Sequence, residues 1–166
     1  MAVQPVKVLF VCLGNICRSP TAHAFFRHLI TTTGLPVEVE SAGTIGYHKN
    51  NPPDPRTQHI GELRGIDFSG ITSQPVVASD FEDYDYILAM DHQNYKDLMF
   101  DAPEQHQHKI KLFLSYLNQQ DTHSPQEVPD PYYGDESHFI KVVDLVEAGS
   151  KALFDHINVT HFNSEY

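Results

Sequence analysis

Apolar residues recur along this chain in two rhythms, and the rhythms alternate. Residues 7–11 (Lys-Val-Leu-Phe-Val) are apolar almost without a break, the pattern of a parallel strand covered on both faces, and this is expected to be the first and central strand. Ala22, Phe25, Phe26, Leu29 and Ile30 then return at helical spacing. Ser19 offers a cap hydroxyl, Pro20 suits the first helical position, and Gly34 stops the helix. Residues 37–41 read as a second strand, 85–90 as a third and 109–113 as a fourth, with helical material between them. Helical segments are expected around 57–64 and 74–80. Residues 43–55, rich in Gly, Asn and Pro, read as a long loop of the kind that often carries function. A polar stretch, 118–134, crosses to a last helix marked by Phe139, Val142, Val143, Val146, Ala152 and Leu153. Strands alternating with helices predict an α/β fold around a parallel sheet.

Composition narrows the picture without changing it. A chain of 166 residues, 40% hydrophobic and 20% charged, fits one globular domain with a full core, and no internal repeat or linker divides it. The net charge of −11 with no local basic patch argues against nucleic acid or anionic lipid as a partner. A phosphate ester stays admissible, because screening over roughly 10 Å lets one pocket be positive on an acidic molecule. No signal-like region or membrane-length apolar run is visible, and the two cysteines are too close to staple a secreted scaffold. A soluble protein of a reducing cytoplasm is expected.

Chemistry concentrates between the first strand and the first helix, in Cys12-Leu13-Gly14-Asn15-Ile16-Cys17-Arg18-Ser19. Ligands of open parallel sheets bind beyond the carboxyl ends of the strands, where this segment lies. A turn leading into a helix can aim backbone N–H groups at a tetrahedral dianion, and the same field favours Cys12 as a thiolate. Arg18 adds a planar fork that grips two phosphoryl oxygens together. Gly14 and Asn15 are residue types that tolerate left-handed backbone, and Ser19 is placed to donate to the Cys12 sulfur. Alone, a cysteine here would suit a small core position and Arg18 a surface ion pair; the set as a whole favours phosphoryl transfer.

A departing alkoxide or phenoxide needs a proton, and Asp130, in Val128-Pro129-Asp130-Pro131-Tyr132-Tyr133-Gly134, is the candidate acid. Prolines on both sides stiffen the loop and the tyrosines offer an aromatic wall; a plain turn aspartate with exposed tyrosines is the alternative. The 11 histidines are scattered without a ligand pattern, so surface positions, no metal and no cofactor are expected.

Together, Cys12 to Pro20 and Asp130-Pro131-Tyr132-Tyr133-Gly134 resemble the low-molecular-weight protein tyrosine phosphatases. Ser41-Ala42-Gly43-Thr44, Asn51-Pro52-Pro53-Asp54 and Ala89-Met90-Asp91 extend the likeness over nearly the whole chain. The resemblance implies a three-layer α/β/α, flavodoxin-like fold with a four-stranded parallel sheet in the order 2-1-3-4. It implies hydrolysis of phosphotyrosine in proteins, with Cys12 forming a phosphocysteine and Arg18 and the loop Leu13, Gly14, Asn15, Ile16 and Cys17 holding the phosphoryl group. Asp130 would be acid and then base. Asn15, Ser41 and Asp91 would support the loop, Ser19 the thiolate, and Leu13, Tyr47, Tyr132 and Tyr133 would line the pocket. Cys17 would trap oxidised Cys12 as a disulfide. Partners would be tyrosine-phosphorylated proteins, with the chain a monomer or weakly self-associating.

Two positions depart from the pattern. Gly70 stands where some relatives carry a histidine that buttresses the loop asparagine, and His48-Lys49-Asn50 makes the recognition loop basic, favouring acidic sequence around a phosphotyrosine. Two other readings stay open. Thiol-dependent arsenate reductases share the fold and loop, although this chain has no cysteine after Cys17. A module that only binds phosphotyrosine would lack the nucleophile or the acid, both of which are present.

Overall fold

The computed structural model describes residues 4–117 and 125–162. Four strands, β1 (Val6–Cys12), β2 (Val37–Gly43), β3 (Tyr86–Ala89) and β4 (Ile110–Leu112), form one sheet in the order β2-β1-β3-β4. All pairings are parallel; Cys12, the last residue of β1, stands opposite Gly43, the last of β2. The expected fold class, with this strand order, is the one observed. The helices are α1 (Arg18–Thr33), α2 (Pro55–Leu63), α3 (Asp80–Asp83), α4 (His92–Asp101) and α5 (Glu136–Ile157).

Strand periodicity sorts the core into two layers. Val6, Val8, Phe10 and Cys12 of β1 join Leu88 and Met90 against Ala22 and Phe26 of α1 and Val142, Val146 and Leu153 of α5. Leu9 and Val11 point the other way, to Ala42, Ile87, Ala89, Phe81 and Leu98. Phe10 centres the larger layer, with its ring edge-on to Phe26 and Phe113 at 5.7 and 5.2 Å between centroids, the geometry favoured by the aromatic quadrupole.

Several elements depart from expectation. Helix α1 starts at Arg18 with Cys17 as its N-cap and no capping side chain; the Ser19 hydroxyl is turned inward, and Pro20 sits in the first turn, where its missing N–H leaves no bond unmade. Gly34 ends the helix as expected, with φ +74° and its N–H on the Ile30 carbonyl.

Residues 74–77 run without helix, 78–79 make a turn, and the helix there is only Asp80–Asp83. Pro75 disfavours helical backbone at Gln74, and the segment lies beside β2 instead: Gly43 N–H donates to the Gln74 carbonyl (2.8 Å) and Val76 N–H to that of Gly43 (2.9 Å). Strand β4 is shorter than expected because Phe113–Tyr116 turns into a 3-10 helix. Helix α2 begins at Pro55, capped by Asp54, which accepts from Arg56 N–H. The start of the polar crossover, 118–124, lies outside the described residues. Among the described residues, no helix is long and apolar enough to cross a membrane.

Candidate active site

The segment between β1 and α1 closes around the Cys12 sulfur. Asn15, with φ +56°, takes the left-handed conformation expected of it and points its N–H at Sγ from 3.3 Å. Gly14 does not adopt a positive φ; a Cβ there would stand 3.0 Å from the His48 ring, a tight contact that the ring would have to yield to. The carbonyls of Cys12, Leu13, Gly14 and Ile16 are taken up outside the loop by Thr44 N–H, Ile45 N–H, the Ser73 hydroxyl and Asp54 N–H, at 2.8 to 3.1 Å. The loop is thereby tied outward through its acceptors.

A second set of bonds decides where one proton points. The Asn15 side chain donates from Nδ2 to Ser19 Oγ (2.7 Å) and accepts at Oδ1 from Gln74 N–H (3.0 Å). With an acceptor site of Ser19 so occupied, its own hydroxyl proton can go to Cys12 Sγ at 3.0 Å or to the Ala42 carbonyl at 3.4 Å, and the shorter contact is the sulfur. Ser41 makes its hydrogen bonds elsewhere than to Asn15. Its carbonyl meets the Gln74 side-chain amide at 3.4 Å and its Oγ meets His23 Nδ1 at 2.9 Å.

Arg18, the first residue of α1, is 3% exposed and anchored from the far side of the site. Its Nη1 donates to Asp91 Oδ2 (2.6 Å) and to the Val128 carbonyl (3.1 Å), and its Nη2 stands 3.7 Å from Asp130 Oδ2. Asp91 serves twice: its Oδ1 caps α4 by accepting from Asn94 N–H at 2.7 Å. Burial works against the Arg18 charge, but Cys12, Asp91 and Asp130 outweigh it and lift its pKa above the ordinary arginine value. Asp130 itself is half-exposed, with Oδ1 accepting from Tyr132 N–H at 3.1 Å.

These groups open into one cavity of about 330 Å³, whose walls are Leu13, Ile16, Ile45, Tyr47, His48, Tyr132 and Tyr133, with Cys12, Cys17, Arg18 and Asp130 also lining it. The Tyr132 and Tyr133 rings meet edge-on at 4.9 Å, as do Tyr47 and His48. Cys17 is buried, and that burial, followed by the Asp54 charge, pushes its pKa up to about 12, so it is a neutral thiol. Neither cysteine is in a disulfide.

Residues 7–162 match the low molecular weight phosphotyrosine protein phosphatase family. The chain belongs to that family. It is 42% identical over 150 residues to the low molecular weight protein-tyrosine-phosphatase YfkJ of Bacillus subtilis, covering 89% of this chain and 93% of that one. It is 44% identical over 142 residues to the human low molecular weight phosphotyrosine protein phosphatase, 84% of this chain and 88% of that one. The crystal structure of YfkJ superposes with a TM-score of 0.89 over 97% of this chain and 99% of that one, at 39% identity. The likeness also reaches a different substrate: the YwlE arginine phosphatase, in a cysteine-to-serine mutant with a phosphorylated active-site serine, aligns with a TM-score of 0.84 at 26% identity, covering 96% of this chain and all of that one.

Of the residues expected from the sequence, Cys12, Leu13, Gly14, Ile16, Cys17, Arg18, Tyr47, Asp130, Tyr132 and Tyr133 line this cavity; Asn15, Ser19 and Asp91 bond to its Cys12 or Arg18, and Ser41 lines a separate cavity behind the loop. Ser73, Gln74, Ile45 and Arg56 carry no sign of this role in the sequence, whereas His48, expected in a basic recognition loop, stands in the cavity wall. Arg56 pairs with Asp54 through Nε (3.0 Å) and Nη2 (2.8 Å) and lays its guanidinium over the rings of Tyr132 (5.5 Å) and Phe139 (4.5 Å). The Arg56 bonds hold the Asp54 carboxylate below its usual pKa. His23 contradicts the expectation of surface histidines, being 7% exposed behind the loop. Its place one turn into an apolar helix stripe was the available signal.

Proposed function

We propose that the protein hydrolyses phosphotyrosine in proteins, and small aryl phosphates, through a phosphocysteine on Cys12. One observation carries the reading: a cysteine sulfur with Asn15 N–H and the Ser19 hydroxyl upon it shares a cavity with a buried, anchored Arg18 and with Asp130. The sulfur attacks phosphorus in line with the phenol oxygen; the S–P bond forms as the P–O bond breaks, and Asp130 gives its proton to the departing phenolate. Arg18 and the loop amides hold the equatorial oxygens, where charge changes least in position and most in distribution. A water then attacks, Asp130 takes its proton, and phosphate leaves the thiolate restored.

Asn15, Ser41 and Asp91 serve as supports in this scheme, and Leu13, Tyr47, Tyr132 and Tyr133 as substrate walls. Cys17, a protonated thiol beside the nucleophile, is placed to condense with an oxidised Cys12 and form a disulfide that a reductant reverses.

Phosphoarginine is the second reading, because the arginine phosphatase YwlE shares the fold. The cavity favours tyrosine. Its walls are aromatic and aliphatic, and its one carboxylate, Asp130, would have to balance a substrate guanidinium while also moving a proton. Arsenate reduction by a protein-borne thiol relay lacks a further cysteine after Cys17. Phosphate release from matched phosphotyrosine, phosphoarginine and phosphoserine peptides tests the reading: phosphotyrosine should lead by at least about a hundredfold, on the scale of discrimination by pocket fit. A lead for phosphoarginine, or acid-quenched enzyme with no label on Cys12, overturns it.

A further inference from the structure

Behind the phosphate loop lies a buried polar side chain that the reaction never touches. His23 of α1 places Nδ1 2.9 Å from Oγ of Ser41, which is 1% exposed at the inner end of β2. From Ser41 the link to the nucleophile runs partly through covalent structure: the Ser41 backbone carbonyl accepts from Gln74 Nε2 (3.4 Å), the Gln74 backbone N–H donates to Asn15 Oδ1 (3.0 Å), Asn15 Nδ2 donates to Ser19 Oγ (2.7 Å), and Ser19 Oγ stands 3.0 Å from Cys12 Sγ.

The opposite side of this chain of contacts is open. A cavity of about 410 Å³, lined by His23, Ser41, Gly70 and Gln74 with Glu40 and Asp80 among its other walls, lies there. Gly70 sits at φ +80°, and apart from its chain neighbours no described atom comes within 4 Å of the place a Cβ would take. Position 70 therefore braces nothing, and the imidazole from α1 is the side chain that reaches Ser41 Oγ among the described residues.

We propose that His23 is a positioning residue for the phosphatase reaction, fixing Ser41 and, through Gln74 and Asn15, the Ser19 proton on the Cys12 sulfur. The inference rests on Cys12 being the nucleophile. Burial and then the Arg27 charge pull the His23 pKa down to about 4, so the ring is neutral near pH 7. A neutral imidazole has one donor and one acceptor nitrogen, which lets it set the direction of a hydroxyl that it meets through Nδ1. A cationic ring could only donate.

The test compares His23→Leu, which fills space without a polar atom, with His23→Asn, whose amide falls near the place of Nδ1. Two readouts serve: kcat and KM for an aryl phosphate, and the pH dependence of Cys12 alkylation by iodoacetate. In the Leu variant kcat should fall on the order of tenfold, the scale for one lost polar contact, with KM within about twofold. The pH of half-maximal alkylation should rise. His23→Asn should recover most of both. In His23→Gly, millimolar imidazole entering the cavity should restore part of kcat.

A folded Leu variant with wild-type kcat and alkylation profile overturns the proposal, as does an Asn variant no better than Leu. Should His23→Leu fail to fold, Ser41→Ala removes the partner hydroxyl instead, and wild-type values there count equally against it. Failure of the nucleophile assignment would show separately, as wild-type enzyme with no phosphoryl label on Cys12.

Discussion

Asp130 stands at the mouth of the cavity with one carboxylate oxygen on the Tyr132 N–H and the other 3.7 Å from Arg18. That second oxygen is too far for a hydrogen bond to the guanidinium, and in the proposed reaction it is the one that would pass a proton to the leaving group. Removing the carboxyl should matter in proportion to the leaving group's need. Asp130→Ala is expected to slow phenyl phosphate by about a hundredfold or more, within the usual range for a general acid, and p-nitrophenyl phosphate far less. A series of aryl phosphates of graded leaving-group acidity checks this: the variant's rates should fall steeply as the phenol becomes a weaker acid. Rates slowed alike across the series would remove Asp130 from the proton path. The residues of this argument were legible early because Cys12 to Ser19 are contiguous and Asp130 is framed by prolines. Gln74 and Ser73 were not, since each meets the loop across 59 positions of chain through a backbone N–H or a single hydroxyl. Such contacts leave no periodic trace in a sequence.

At the scale of elements, the site depends on how closely the end of β2 approaches the phosphate loop. A Cβ on Gly43 would stand 2.7 Å from the Leu13 carbonyl oxygen, 2.9 Å from that of Ile45 and 3.1 Å from the Gly14 carbonyl carbon. All three are backbone, so none can swing aside as a side chain would. Gly43→Ala is therefore expected to displace the loop or β2. Overpacking of this kind costs about 1–3 kcal/mol, and a shift of about 1 Å in a reacting group can cost about a hundredfold in rate. Gly46→Ala is the control, because its Cβ would rest 3.6 Å from Pro75, an ordinary contact. Thermal melts with kcat measurements should show both losses at position 43 and neither at 46. The same junction explains why residues 74–80 misled the sequence reading. Their apolar and polar spacing allows a helix, but Pro75 resists it and the free edge of Gly43 offers two backbone hydrogen bonds to an extended segment. Strands β1 and β3, by contrast, were legible because apolar runs buried on both faces have few other homes, and the edge strand β2 because Val37, Glu38, Val39 and Glu40 alternate.

The whole molecule carries the imprint of His23 in its pH dependence, with His156, whose pKa burial also lowers, acting in the same direction. His23 titrates near 6.5 in the unfolded chain and at about 4 in the fold, because burial and Arg27 both oppose its charge. A folded pKa held below the unfolded one means that the unfolded state binds the proton first as pH falls. The contribution is thus fully present above about pH 6.5 and is lost on the way down to 4, amounting to about 3 kcal/mol by pH 4. Glu40 and Asp80 pull in the other direction, since burial raises both and protonating them in acid relieves a cost present at neutral pH. Asp54, held low by Arg56, adds a loss only below the ordinary carboxylate range. The wild-type slope between pH 7 and 4.5 is therefore a mixture, and the His23→Asn variant separates it. Urea unfolding of both proteins across that interval should show the wild type losing stability faster than the variant, with the gap opening below pH 6.5. Parallel curves would mean that the ring is already protonated, or already wet, in the folded protein, and the neutral brace behind the phosphate loop would then be lost along with the slope.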